Sequence, residues 1–306
     1  MKKTLNIFLG CLAAILSLAS CSNDDDPSGN YTTLTYTNCF NYSRDRASGA
    51  ECLSGSNVGY AIKFDFDNMK ADVRVAGLVL ADGKDAITLD MNGLPLRMSG
   101  GYYRIDATDV VPVVNGTASS KYSVGTFSLA FIQFAVRPTV GTTVLTGQEF
   151  GINYTVKDDV TTYNVKAIPN ASLYYGETTV MAKNSTEPYV TTAPYYIIRL
   201  SLDKDTKVVT PTVEMRGAKF APSMGVSIDM VLKGATVDFA NVSGGYRLTA
   251  DHMIPEVGGK PNPKYAISNF NARCEVAKSA DISFDVDAMG RVVSKLRYTA
   301  ENAQSL

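Results

Sequence analysis

The chain has 306 residues, 29 basic against 30 acidic, with a single histidine and no tryptophan. That near balance of charge argues against a nucleic-acid surface, which needs clustered Lys and Arg. At 45% hydrophobic and 19% charged, the composition suits a globular protein with a substantial core, and the length favours two domains.

The chain opens with Lys2 and Lys3 and an apolar run from Leu5 to Ala19. The run is shorter than the ~20 residues a membrane-spanning helix needs and fits a secretory signal. It closes on Leu18-Ala19-Ser20-Cys21, the layout of a bacterial lipobox. Small residues there admit a signal peptidase, and the Cys21 thiol carries diacylglycerol. Residues 1–20 are therefore expected to be removed, and Cys21 to be lipidated and held in a membrane. Each buried methylene of such chains contributes ~0.8 kcal/mol, so several chains together make a durable anchor. Loss of Lys2 and Lys3 leaves 27 basic against 30 acidic residues. Residues 21–30 then form an acidic, flexible tether, rich in Asp, Ser, Asn, Gly and Pro. Within it, Asp24-Asp25-Asp26 resembles the lipoprotein export signal of Bacteroidetes, which implies display on the outer face of the outer membrane.

Three cysteines remain beyond Cys21. Cys39 and Cys52 flank a polar, turn-rich stretch and could close a loop in an oxidising envelope, worth ~3 kcal/mol by chain entropy. Cys274 reads as a small buried hydrophobe. With one histidine and no CxxC spacing, no metal or other cofactor is expected.

An internal repeat is the strongest structural signal. Residues 101–127 and 244–270 align without a gap and match at ten of 27 positions, among them Tyr103/Tyr246, Arg104/Arg247, Pro112/Pro255, Lys121/Lys264, Tyr122/Tyr265 and Phe127/Phe270. The match extends to Tyr60–Asp67 with Tyr196–Asp203, Ile87–Gly93 with Ile228–Gly234, and Ile152–Val156 with Ile282–Val286. Copy one carries about 13 extra residues near Arg137–Glu149. The copies are placed at 31–169 and 170–306, each large enough to bury its own core.

Within each copy a two-residue period dominates, as in Ile62, Phe64 and Phe66 or Ile282, Phe284 and Val286. Asp82-Gly83, Asn92-Gly93 and Asn115-Gly116 supply hairpin turns. The expected fold is all-β: two tandem antiparallel domains of about eight strands each, barrel or sandwich. The Cys-anchored, Asp-rich start, the short strands and the Gly-Gly-Tyr…Pro…Tyr…Phe pattern together resemble the lipoproteins of Bacteroidales, including their calycin-like barrel group. That resemblance implies a barrel and a surface role, and it supplies no binding residues.

No constellation points to catalysis. Neighbours on a strand face opposite sides, so Tyr103-Arg104 and Tyr246-Arg247 read as inward tyrosines beside outward arginines. Asp251, His252 and Glu256 have Thr108, Asp109 and Val113 as counterparts, so the repeated scaffold does not require an acid–base cluster there. There is no Gly-x-Ser-x-Gly elbow, Walker or dinucleotide fingerprint. Adjacent tyrosines at 102–103, 174–175 and 195–196 place one ring on each side of a strand, which offers stacking faces for sugars or simply fills cores. The expectation is a non-enzymatic, surface-anchored lipoprotein that binds a glycan or an apolar small molecule. The alternative is a structural or accessory subunit, or an adhesin, of an outer-membrane complex.

Overall fold

The computed structural model describes residues 31–55, 58–99, 102–136, 145–287 and 289–297. Cys21 and the Asp24–Asp26 tripeptide lie outside them. The described residues form two 12-stranded antiparallel sheets, one per copy, each curled into a barrel-like layer around its own core.

Copy one contains β1 (Tyr31–Tyr36), β2 (Cys39–Asp45), β3 (Glu51–Ser54), β4 (Gly59–Asp65), β5 (Lys70–Leu78) and β6 (Ile87–Ser99). It continues with β7 (Tyr102–Val110), β8 (Val113–Val114), β9 (Thr117–Ala118), β10 (Ser123–Val136), β11 (Leu145–Lys157) and β12 (Thr162–Pro169). Copy two contains β13 (Ala171–Ala182), β14 (Tyr189–Thr191), β15 (Tyr195–Leu202), β16 (Val209–Ala218), β17 (Ile228–Lys233) and β18 (Thr236–Asp238). It ends with β19 (Gly245–Met253), β20 (Glu256–Val257), β21 (Lys260–Pro261), β22 (Ile267–Glu275), β23 (Ser279–Val286) and β24 (Gly290–Arg297).

The ladder in copy one runs β1-β4-β5-β6-β7-β10-β11-β12-β2-β3, an up-and-down meander. Its β1 end and its β2 end are consecutive in the chain, so the sheet curls back on itself at Thr37–Asn38. Copy two follows the same plan with the break moved. There β13 is continuous and pairs with both β15 and β24, while the strand equivalent to β6 is split into β17 and β18 after Gly234. Gly93 and Gly234 hold φ of 68° and 91°, a left-handed backbone that side chains resist, and Asn92-Gly93 is thereby an irregularity within β6 and not the hairpin turn expected. Counting each split strand once gives eight main strands per copy. The excess over eight comes from those breaks, the β8–β9 and β20–β21 hairpins, and the short edge strands β3 and β14.

Of the extra residues of copy one, 137–144 lie outside the described residues, and 145–149 belong to β11. Strands β10 and β11 run 14 and 13 residues against nine and eight for β22 and β23. Ser123 to Val136 pair back to Lys157–Leu145, with one register shift at Gly125.

Alternation is clean where one face meets solvent, as in β24 from Gly290 to Arg297. Inward residues fill both interiors. Tyr60, Ile62, Phe64, Phe127, Phe150 and Tyr154 pack copy one, and Phe270, Phe284, Ile282 and Tyr246 pack copy two. Alternation fails on three strand segments: Cys39–Ser43 of β2, Val165–Pro169 of β12 and Ser172–Tyr175 of β13 are buried without interruption. Such two-faced burial means that both sides of these strands are covered. Cys39, Val165 and Ala167 join the core of copy one, whereas Phe40, Tyr42 and Ile168 join the core of copy two. The two copies are thus packed against one another through a shared layer.

Each interior also keeps a tyrosine-centred polar node at equivalent positions. In copy one the Tyr60 hydroxyl lies 2.6 Å from Asn41 Oδ1 and 3.1 Å from the Tyr154 hydroxyl. In copy two the Tyr196 hydroxyl lies 2.7 Å from Ser294 Oγ, itself 2.8 Å from Thr178 Oγ1. The repeat alignment and strand registers equate Tyr154 with Phe284 and Ala167 with Ser294. One hydroxyl has therefore moved from β11 to β24 while the node survived. Replacing Tyr196 with Phe leaves the Ser294–Thr178 pair short of a partner and is expected to cost about 1–2 kcal/mol in chemical denaturation.

Candidate functional site

Strands β12 and β13 are joined only by Asn170, whose N–H donates to Asn38 O at 2.9 Å and whose carbonyl accepts from Leu200 N–H at 2.9 Å. Leu200, and Thr37 and Cys39 on either side of Asn38, belong to the walls of a cleft between the copies. The cavity measures about 510 Å³. Copy one contributes Thr37, Cys39, Phe40 and Gly55; copy two contributes Arg199, Leu200, Ser201, Leu202, Lys204, Thr210 and Thr212; Asn170 lies between. Hydroxyls, an amide and two cations thus share the lining with Phe40, Leu200 and Leu202, a mixed surface with room for a small ligand that is polar on one side. Arg199 Nε donates to Glu214 Oε1 at 2.7 Å, and Glu214 also takes both Nε and Nη2 of Arg216. These charge-assisted bonds hold the Glu214 carboxyl below its usual range against the opposing effect of burial, which is the largest influence on it.

Beside the cleft the copies are latched. Lys166 of β12 points away from its own core and is 9% exposed. Its Nζ donates to Val242 O at 2.5 Å, Phe239 O at 2.6 Å and Gly245 O at 3.4 Å, all in copy two. It also lies 5.5 Å from the centroid of the Tyr42 ring, its cross-strand neighbour. Phe239 fits between copies, 5.8 Å edge-on from Phe40, 5.4 Å from Tyr42 and 6.2 Å from Tyr246. Burial pushes the Lys166 ammonium down to about 8, partly opposed by the charges of Asp238 and Glu51 and reinforced by Arg44. Backbone approach is close elsewhere too: a Cβ on Gly151 would meet Val276 O at 2.8 Å, and one on Gly244 would meet Asn153 Nδ2 at 3.1 Å.

The residues singled out in the sequence fall in different places. Cys39 and Cys52 are both buried free thiols, so the loop-closing disulfide is not formed. The register explains this: Cys52 lies opposite Ser43, four residues along β2 from Cys39. At ~3.4 Å per residue that offset is ~14 Å, about twice the Cα separation a disulfide spans. Cys39 Sγ points instead to Tyr36 O, and Cys52 Sγ lies 3.4 Å from Asp82 Oδ1. Burial pushes the two thiols up to about 12 and about 11, which disfavours the reactive thiolate at both.

Tyr246 is fully buried with Arg247 exposed, as alternation requires. Tyr103 is half-buried, packed 5.0 Å from Phe66. Asp251 and His252 are exposed, while Glu256 accepts from Lys233 at 2.8 Å, so the trio is not assembled into one site. Tyr174 and Tyr175 are both buried, because β13 is covered on both faces, and neither offers a stacking surface. Tyr195 is half-buried and Tyr196 fully buried. Nothing in the repeat pointed to Arg199, Lys204 or Lys166. They read as ordinary outward residues of alternating strands or turns, and only the packing of one copy on the other brings them to the junction.

No family model matches the chain, and neither a curated protein nor a solved structure matches it. The fold and the cleft therefore stand on their own geometry: an all-β protein of two duplicated, barrel-like domains packed around a shared layer, with a polar cleft at the junction.

Proposed function

We propose that the protein is a non-enzymatic lipoprotein, anchored through Cys21 and displayed on the cell surface, that binds a polar ligand in the cleft between its two copies. The cleft is the observation that carries the reading. Among the described residues, large side chains such as Tyr60, Phe64, Phe127, Phe270 and Phe284 occupy both barrel interiors, which favours a glycan at the junction over an apolar molecule in a barrel mouth. The two copies supply different walls of one site, so duplication here builds an interface where each copy alone presents only half a pocket.

The lipobox and the acidic tether support the location. Cys21→Ala is expected to leave the fold intact and to release the protein from the membrane fraction; retention in that fraction contradicts lipid anchoring. Converting Asp24, Asp25 and Asp26 to Ala is expected to abolish protease access in whole cells, and unchanged access removes the export reading. The binding half is tested by native mass spectrometry after exposure to separate host-glycan and outer-membrane-lipid pools. A discrete carbohydrate adduct is expected; a lipid adduct or none contradicts it.

One observation favours the partner-protein alternative. Val111 and Ile254 occupy equivalent positions in the two copies and are 72% and 46% exposed, each before a buried proline. Live-cell crosslinking from these positions to an outer-membrane protein, with no carbohydrate adduct, would establish that reading instead.

A further inference from the structure

Resting on that reading, we infer that the cleft selects acidic glycans, seating a carboxylate or sulfate on Arg199 and Lys204 while hydroxyl and amide groups hold the sugar ring. The lining contains these two cations and no carboxylate. Glu214, 13% exposed, lies on the same face of β16 as Thr210 and Thr212, at the margin of the cleft, as a counter-ion to Arg199, and its charge is already shared with Arg216. Its contact with Arg199 runs through Nε alone, and among the described residues the two Nη groups of Arg199 make no hydrogen bond. Those Nη groups are the paired donors that recognise a carboxylate or a sulfate bidentately. Holding Nε in place orients that fork before a ligand arrives.

Lys204 is an exposed turn residue, and among the described residues its ammonium makes no hydrogen bond or ion pair. It is free to supply a second positive charge from the same wall. Ser201, Thr210, Thr212 and Asn170 provide both donors and acceptors, which is what ring hydroxyls require. An apolar ligand would leave these groups and both cations unmatched. A neutral sugar would leave the cations alone unmatched.

The test is binding of the full mature protein to an array carrying carboxylated glycans, sulfated glycans and neutral counterparts. Wild type is compared with Arg199→Gln/Lys204→Gln and with Lys260→Gln, a charge removed from β21 outside the cleft. Expected are acidic binders at least about tenfold tighter than their neutral counterparts, weakening as salt rises from 50 to about 200 mM. The double variant loses that preference and Lys260→Gln keeps it. The carboxylate and sulfate arms decide which anion is preferred, and either preference supports the inference. Equal binding of neutral and acidic glycans overturns it while leaving a glycan-binding cleft standing. Acidic binding that survives in the double variant overturns the assignment to this cleft. Binding of no glycan at all removes the proposed function together with its refinement. Circular dichroism and an unchanged unfolding midpoint establish that the double variant is folded.

Discussion

Lys166→Met is expected to lower stability by about 2 kcal/mol at pH 7 and to split thermal unfolding into two steps. The substitution keeps the length of the side chain and removes the donor that three carbonyls of copy two share. Each buried carbonyl left without a donor costs about 1–3 kcal/mol, and the loss shared by three of them is offset in part by the relief of no longer burying a charge. The loss falls on the junction, since the carbonyls belong to one copy and the ammonium to the other. Two separately melting domains in the variant, against one transition in the wild type, would be read by calorimetry. A single, unshifted transition would show that the latch contributes nothing.

The same substitution carries a pH signature. The Lys166 ammonium is held at about 8 in the folded chain against 10.5 ordinarily. Between those values the unfolded chain binds more protons than the folded one, so this residue makes stability rise with pH across that window. Below pH 8 both states keep the proton and the cost of burying the charge is present in full. The stability of wild type relative to Lys166→Met should therefore be flat below pH 8 and climb from pH 8 to 10.5. A difference that falls across that window would contradict the burial of a charged lysine.

Gly245→Ala is expected to be more damaging still, about 3 kcal/mol or more. A Cβ there would stand 1.8 Å from Cys274 O and 2.9 Å from Glu275 Cα, both backbone atoms that no rotamer change can clear. Strand β19 would have to move from β22, and with it the Gly245 carbonyl that faces Lys166. Loss of soluble protein or a midpoint many degrees lower is the expected outcome of expression and denaturation. A near-wild-type midpoint would mean that β19 and β22 are less closely apposed than described.

Much of the fold was legible because its signals are local. Ile62, Phe64 and Phe66 alternate in sequence, Asn115-Gly116 holds positive φ at both residues, and the Tyr-Arg…Pro…Lys-Tyr pattern recurs in register. Those features gave strands, turns and duplication without any tertiary information. The junction was hidden because it depends on what covers the outer face of a strand. Lys166 sits between Val165 and Ala167 like any solvent-facing residue, yet the turn from Phe239 to Gly245 closes over it. Tyr174 and Tyr175 alternate as an exposed-buried pair would, yet both are enclosed. Cys39 and Cys52 are close enough in sequence to be bridged, and the β2–β3 register holds them apart. The cleft was invisible for the same reason: Thr37 and Arg199 are 162 positions apart and meet only through Asn170 and the layer around it.

The most direct measurement is hydrogen–deuterium exchange of the mature protein, free and loaded with the glycan fraction it retains. A ligand in the cleft should slow exchange at Thr37–Asn38 in copy one and across the Asp203–Val208 turn in copy two in the same experiment. Slowing confined to the β8–β9 and β20–β21 hairpins, or to one copy alone, would contradict a site shared between them.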